Sequence, residues 1–141
     1  MNPARFADVA VGDRLPTLEI PMTDTLIAAG AIATRDFMPV HHDRDYAGRQ
    51  GAPDIFMNIL SDTGYSSRFL TDWGGPDTMV RRLAIRLGVP VFPGDTLVYT
   101  GEVTGRSTGD GEGVVEVAFR AATALGDHVS GSATVTLPLD A

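Results

Sequence analysis

Hydrophobic positions along the 141-residue chain follow two different periods, and the change falls near Pro76. Ahead of it, LPTLEIPM alternates briefly and predicts an entry strand ending near Pro21. The alanine-rich run DTLIAAGAIAT, residues 24–34, predicts a short helix despite Gly30. Residues 55–73, IFMNILSDTGYSSRFLTDW, set Ile55, Ile59, Leu60, Phe69, Leu70 and Trp73 at helical spacing and predict the one long helix. Asp54, after Pro53, is placed to cap its first turn, and Gly74-Gly75-Pro76 ends it. Met57, Tyr65 and Phe69 are expected in the core.

Beyond Pro76 the period is two. RRLAIRLGVPVF puts Leu83, Ile85, Leu87, Val89 and Val91 on one face and Arg82, Ala84 and Arg86 on the other. FPGDT reads as a turn, LVYTGEVTGR as a second strand and STGDGEG as a hairpin loop. GVVEVAFRAATAL and HVSGSATVTLPL supply two more strands, parted at Gly126-Asp127. An antiparallel sheet with one wet face needs its other face covered, and only the long helix can do that. The expected fold class is α+β: a curved antiparallel sheet wrapped around a long central helix, as one domain over residues 1–141.

Composition narrows the functions. No apolar run approaches the twenty residues of a membrane span, and the N-terminal segment lacks a signal-peptide layout. There is no cysteine for disulfides or thiolate chemistry, so a cytoplasmic location is expected. All eleven basic residues are arginine, which removes Schiff-base lysines and lysine phosphate loops. A net charge of −7 argues against nucleic-acid binding. Arg81, Arg82 and Arg86 form a local basic cluster that reads as a solvated strand face, although an anionic ligand stays possible there.

Candidate chemistry concentrates in RDFMPVHHDRDYA, residues 35–47, which holds Asp36, His41, His42 and Asp43. Pro39 breaks any helix there and biases Met38 toward extended backbone. Asp36 and His41 are therefore expected to flank a turn and converge on one site, where a carboxylate and an imidazole can manage a proton and a water. Taken singly, each reads more readily as structural; the joint spacing with Pro39 and Asp43 favours function. His42 and Asp43 are expected to hold the turn, Asp43 as a cap. Adjacent histidines rarely ligate one ion, so no metal is expected. Asp62 and Ser61 fall just after the helix entry, where one can line a pocket. His128 stands apart at a strand edge and is expected at the surface.

The spacing Asp36-x-x-Pro39-x-His41-x-Asp43, then Ala47, resembles the signature of the MaoC-like (R)-specific enoyl-CoA hydratases, and PGDTL, residues 93–97, resembles a turn of the same proteins. That resemblance implies the hotdog fold and hydration of an enoyl-CoA by Asp36 and His41. It implies no cofactor beyond the coenzyme A carried by the substrate. ATRDFMPVHHDRDYA and DIFMNILSDTGYSSRFLTDW look most like the small hydratase subunits of actinobacterial steroid side-chain degradation. Such a subunit implies a bulky steroid enoyl-CoA and a second hotdog subunit in an α2β2 assembly, with a homodimer as the fallback. The chain departs from the family in three places. Arg35 stands where a glycine is usual and Met38 where an asparagine is usual. Asn58-Ile59-Leu60 replaces His-Gly-Met at the helix entry, which leaves Ile59, with Asn58, as the oxyanion donor. The competing readings are a hotdog thioesterase and a non-catalytic partner or acyl-CoA-binding subunit.

Overall fold

The computed structural model describes residues 3–139, so Met1, Asn2, Asp140 and Ala141 of the expected domain lie outside the described residues. Its elements are β1 (Leu18–Pro21), α1 (Asp24–Ala33), α2 (Arg44–Arg49), α3 (Ile59–Gly74), β2 (Met79–Leu87), β3 (Thr96–Gly109), β4 (Glu112–Thr123) and β5 (Gly126–Pro138). The strands form one antiparallel sheet in the order β1-β3-β4-β5-β2. With α3 against its inner face, this is the sheet wrapped around a helix expected from the two periods, and the hotdog fold that the resemblance implies.

The core lies between α3 and the sheet. Val103, Val115, Val117, Ala133 and Val135 point inward from the three central strands and are buried. Phe69 of α3 packs on Tyr99 and Phe119, with ring centroids 5.5 and 6.2 Å away. Phe119 has room because glycine faces it on both sides: Gly101 on β3 and Gly131 on β5. A Cβ on Gly131 would run into the Phe119 ring and lie 2.9 Å from the Ala84 carbonyl oxygen, which is backbone and cannot swing away. Gly131→Ala is therefore expected to destabilise by about 1–3 kcal/mol, the usual penalty of overpacking, read as a lower urea midpoint at unchanged slope.

The long helix begins later than its apolar spacing predicts. α3 starts at Ile59, capped by Asn58, whose Oδ1 accepts from the Ser61 N–H. Asp54 is not the cap; it accepts from the Ile55 N–H and pairs with Arg44. Residues 55–58 stay outside the helix because their backbone bonds go elsewhere: Phe56 N–H to the Val40 carbonyl and Met57 N–H to the Val91 carbonyl. Ile59 and Leu60 are half exposed, while Ser61, Asp62 and Ser66 take the inward side of this end of the helix.

Three smaller expectations also change. The supposed loop STGDGEG is mostly strand. Asp110 (φ 51°) and Gly111 (φ 79°) alone make the turn, with the two positive φ values of a type I′ hairpin. Arg44–Arg49, where the hydrophobic pattern predicts no element, form the short helix α2, whose N-cap is Asp43. β2 stops at Leu87, which is 40% exposed, so Val89 and Val91 lie beyond the strand, although Val91 is buried.

Candidate active site

The site is built where α1 ends and α3 begins. α1 closes in a Schellman motif: Arg35 N–H bonds the Ile32 carbonyl and Asp36 N–H bonds the Ala31 carbonyl. This motif needs a left-handed residue after the C-cap, and Arg35 takes it at φ 60°. The arginine therefore keeps a glycine-type backbone at the cost of left-handed strain. Arg35→Gly is expected to raise stability by about 1 kcal/mol by relieving it. A thermal melt a few degrees higher, with turnover within about twofold of the parent, checks this.

The motif turns Asp36 toward Asn58. Asn58 Nδ2 donates to Asp36 Oδ2 at 3.1 Å and to Thr34 Oγ1 at 2.9 Å. Its Oδ1 accepts from the Ser61 N–H and, at 2.5 Å, from Ser61 Oγ. One buried amide thus caps α3 and ties it to the end of α1. Gly30 permits this approach, since a Cβ there would collide with Ser61 Oγ. The glycine that weakens α1 as a helix is what lets the two helices meet.

Met38 is extended ahead of Pro39, and Pro39–His41 form a single 3-10 turn that brings His41 back over Asp36. The Met38 N–H donates to Asp36 Oδ1 at 3.3 Å. His41 is 7% exposed and lies edge-on to the Phe56 ring, centroids 5.1 Å apart. Its Nδ1 meets the Phe56 carbonyl oxygen at 2.6 Å. A carbonyl only accepts, so Nδ1 carries a proton and Nε2 is the nitrogen free to exchange one. That Nε2 lies 3.4 Å from Asp36 Oδ2. This is longer than a direct charge-assisted hydrogen bond of about 2.7–2.9 Å, yet short enough for both atoms to reach one proton-bearing group. The Asn58 amide first, then the Met38 N–H and His41, hold the Asp36 carboxyl below its ordinary range, against a smaller opposing effect of burial. Asp36 is therefore a carboxylate at neutral pH.

The sequence-predicted residues separate into groups. Asp36, His41 and Asn58 are together. Asn58 is not a free oxyanion donor, because it is 2% exposed and its amide is committed to Asp36 and Thr34. Ile59 stays eligible: at the first position of α3 its N–H has no helical acceptor, and none meets it among the described residues. His42 is exposed, its Nε2 3.4 Å from the Phe37 carbonyl. Asp43 caps α2 through the Tyr46 N–H at 2.9 Å. Both hold the turn through these bonds, and among the described residues neither side chain hydrogen-bonds Asp36 or the His41 ring. Ile32, Phe37, Met38, Ile59 and Leu60, on the segments that carry Asp36 and Asn58, leave large apolar surfaces exposed. Arg81, Arg82 and Arg86 are exposed on β2, and Arg81 pairs with Glu112 at 2.6 Å. Among the described residues no three His, Asp or Glu side chains gather closely enough to hold a metal ion.

Two features were missed. One is the double role of the Asn58 side chain; an asparagine before a helix is a known capping signal, but the apolar spacing from Ile55 hides that the helix starts just after it. The other is His128, which is not at the surface. It is 3% exposed, and its Nε2 lies 2.7 Å from Oδ1 of Asp62, which is fully buried. Its Nδ1 donates to the Val89 carbonyl. Burial, as the largest effect, pushes the Asp62 carboxyl up; on His128 burial is again the largest single effect and lowers the imidazole, but Asp62, the Val89 carbonyl and Asp95 together outweigh it, so the imidazole also rises. No local pattern marks a pair formed across 66 positions.

Comparison with known proteins adds independent findings. The family described as "MaoC like domain" matches residues 6–124. The chain is 48% identical over 129 residues to the 3-oxo-4,17-pregnadiene-20-carboxyl-CoA hydratase beta subunit of Mycobacterium tuberculosis, covering 92% of this chain and 95% of that protein. It also resembles a chain of the ChsH1-ChsH2 complex from the same organism, with TM-score 0.84 and 44% identity over 91% of this chain and 98% of that one. The unliganded R-hydratase PhaJ1 of Pseudomonas aeruginosa gives TM-score 0.84 at 25% identity, over 96% and 86% of the two chains.

Proposed function

Because this chain belongs to the MaoC-like domain family, we propose that it is the catalytic subunit of an enoyl-CoA hydratase in which Asp36 and His41 move the protons. Adding water across a 2-enoyl thioester forms a C–O bond at the β-carbon and a C–H bond at the α-carbon. The pair takes one proton from water as its oxygen attacks and returns one to the α-carbon. Charge gathers on the thioester oxygen meanwhile, and the free N–H groups at the start of α3, Ile59 first, are suited to receive it. No other cofactor enters the chemistry. The observation that carries this reading is the approach of Asp36 Oδ2 and His41 Nε2 to 3.4 Å, with Nδ1 already committed to the Phe56 carbonyl.

The substrate is a bulky CoA thioester of the steroid side-chain class, as the name of the 48% identical relative supports. The partner is a second MaoC-like subunit, paralleling the two-component complex among the structural relatives. The half-exposed Phe37, Met38, Ile59 and Leu60 beside the pair fit this, since an acyl group and a second domain would cover them. No described helix is long and apolar enough to cross a membrane, and a cytoplasmic site of action is part of the proposal.

The test uses the complex co-purified with its partner. It should remove the conjugated thioester absorbance of a steroid enoyl-CoA without releasing free thiol, and should turn over a short enoyl-CoA more slowly. Thiol release would make the protein a thioesterase. Hydration that persists unchanged when this chain carries Asp36→Asn would leave it a supporting subunit.

A further inference from the structure

The Asp62–His128 pair is fully buried, and the proposed chemistry does not use it. It is also hard to explain as a source of stability. Among the described residues Asp62 Oδ2 has no hydrogen-bond partner, and buried ion pairs are often no better than apolar residues of the same size. Its connections suggest a different use. His128 belongs to β5, its carbonyl accepts from the Gly88 N–H, and its Nδ1 donates to the Val89 carbonyl. Its Nε2 reaches Asp62 in the first turn of α3. One imidazole therefore joins a strand, the segment after β2 and the start of the long helix.

That segment leads to the site. The Val91 carbonyl accepts from the Met57 N–H, the preceding Phe56 N–H bonds the Val40 carbonyl, and the Phe56 carbonyl receives the His41 Nδ1 proton. Asn58, which tethers Asp36, follows Met57 directly. The protonation of the pair is also constrained. Val89 takes the Nδ1 proton, and two facing lone pairs at 2.7 Å would repel, so one further proton lies between His128 and Asp62. As a unit the pair carries no net charge. It anchors the first turn of α3 without adding a net anion where an oxyanion is to be received.

We propose that Asp62 and His128 are positioning residues: their buried contact clamps residues 56–59 so that the Phe56 carbonyl fixes the His41 ring and the α3 N-terminus faces the reacting carbons. This rests on the reading of Asp36 and His41 as the proton-moving pair. The test therefore includes a readout that does not depend on turnover.

The paired variant Asp62→Leu with His128→Leu removes both polar groups at once. It is expected to melt within a few degrees of the parent. In the co-purified complex its kcat should fall by about tenfold or more with KM within about threefold, as misplacement of reacting groups produces. Asp62→Asn, whose amide can donate to His128 Nε2, should hold kcat within about threefold of the parent. In a sample with only this chain nitrogen-15 labelled, the His41 ring shifts should report a fixed Nδ1–H form in the parent and in Asp62→Asn. The paired variant should lose that signature. If the paired variant does not fold, His128→Gln decides, because it keeps a donor for Asp62 and loses the Val89 bond; a lowered kcat supports the clamp. Parent-like kcat together with unshifted His41 nitrogens, in the paired variant or in His128→Gln, overturns it. A parent complex without hydratase activity would remove the reaction reading alone, since the ring shifts still judge the clamp.

Discussion

Asp36→Asn and His41→Ala are each expected to lower kcat for hydration by about 10²–10⁴-fold in the co-purified complex, the contribution of a positioned general acid or base. The two losses should not add, because either change disables the same transfer. Asp36→Asn is the cleaner variant. The new amide can still accept from Asn58, and only the 3.3 Å bond from the part-exposed Met38 N–H is given up, to water. Its melting temperature should stay within a few degrees of the parent. His41→Ala also removes the Phe56 carbonyl bond and an aromatic edge contact, so a loss of about 1–3 kcal/mol should accompany it. Full hydration by both variants, with the partner present, would sink the assignment.

Asn58→Asp carries the second large effect. It is nearly isosteric and keeps a good cap for α3, but it replaces the amide donor with a carboxylate about 3.1 Å from Asp36. Two carboxylates so close cannot both ionise comfortably, so one proton becomes shared between them. The sign follows from the parent. The Asn58 amide lowers the Asp36 pKa, so the base form persists into acid, and the stability from that bond is lost only as pH falls through the lowered folded value. In the variant the acid limb of kcat/KM should move to higher pH. Activity at pH 7 should fall by about tenfold or more, and part of it should return in more alkaline buffer. An acid limb that does not move would mean that Asn58 sets geometry alone.

The sheet and its covering helix were legible because both periods are local properties of the chain. Leu83 and Ile85 alternate with arginines, and Phe69, Leu70 and Trp73 share a helical stripe. The start of α3 was not legible. Ile55 and Ile59 stand four apart as in a helix, yet Phe56 and Met57 give their N–H groups to Val40 and Val91, which only the folded chain brings near. Arg35 hid its left-handed backbone, since the usual signal there is a glycine. Asp36 and His41 could be found because Pro39 and the short spacing confine them to one turn. His128 could not, because its partner lies on another element and a lone histidine carries no periodic signal.

The glycines flanking Phe119 bear on how the sheet assembles, as well as on how it packs. A one-residue slip of β4 against its neighbours would swing Glu116 and Arg120 toward the interior. A two-residue slip keeps the faces but sets the Phe119 ring opposite Tyr99 or Val103 on β3, where no glycine makes room. Misaligned pairings of the three longest strands thus place either a charge or a collision in the interior. The Phe119 ring, with a glycine facing it on each side, therefore helps to define the register of the sheet as well as to fill its core.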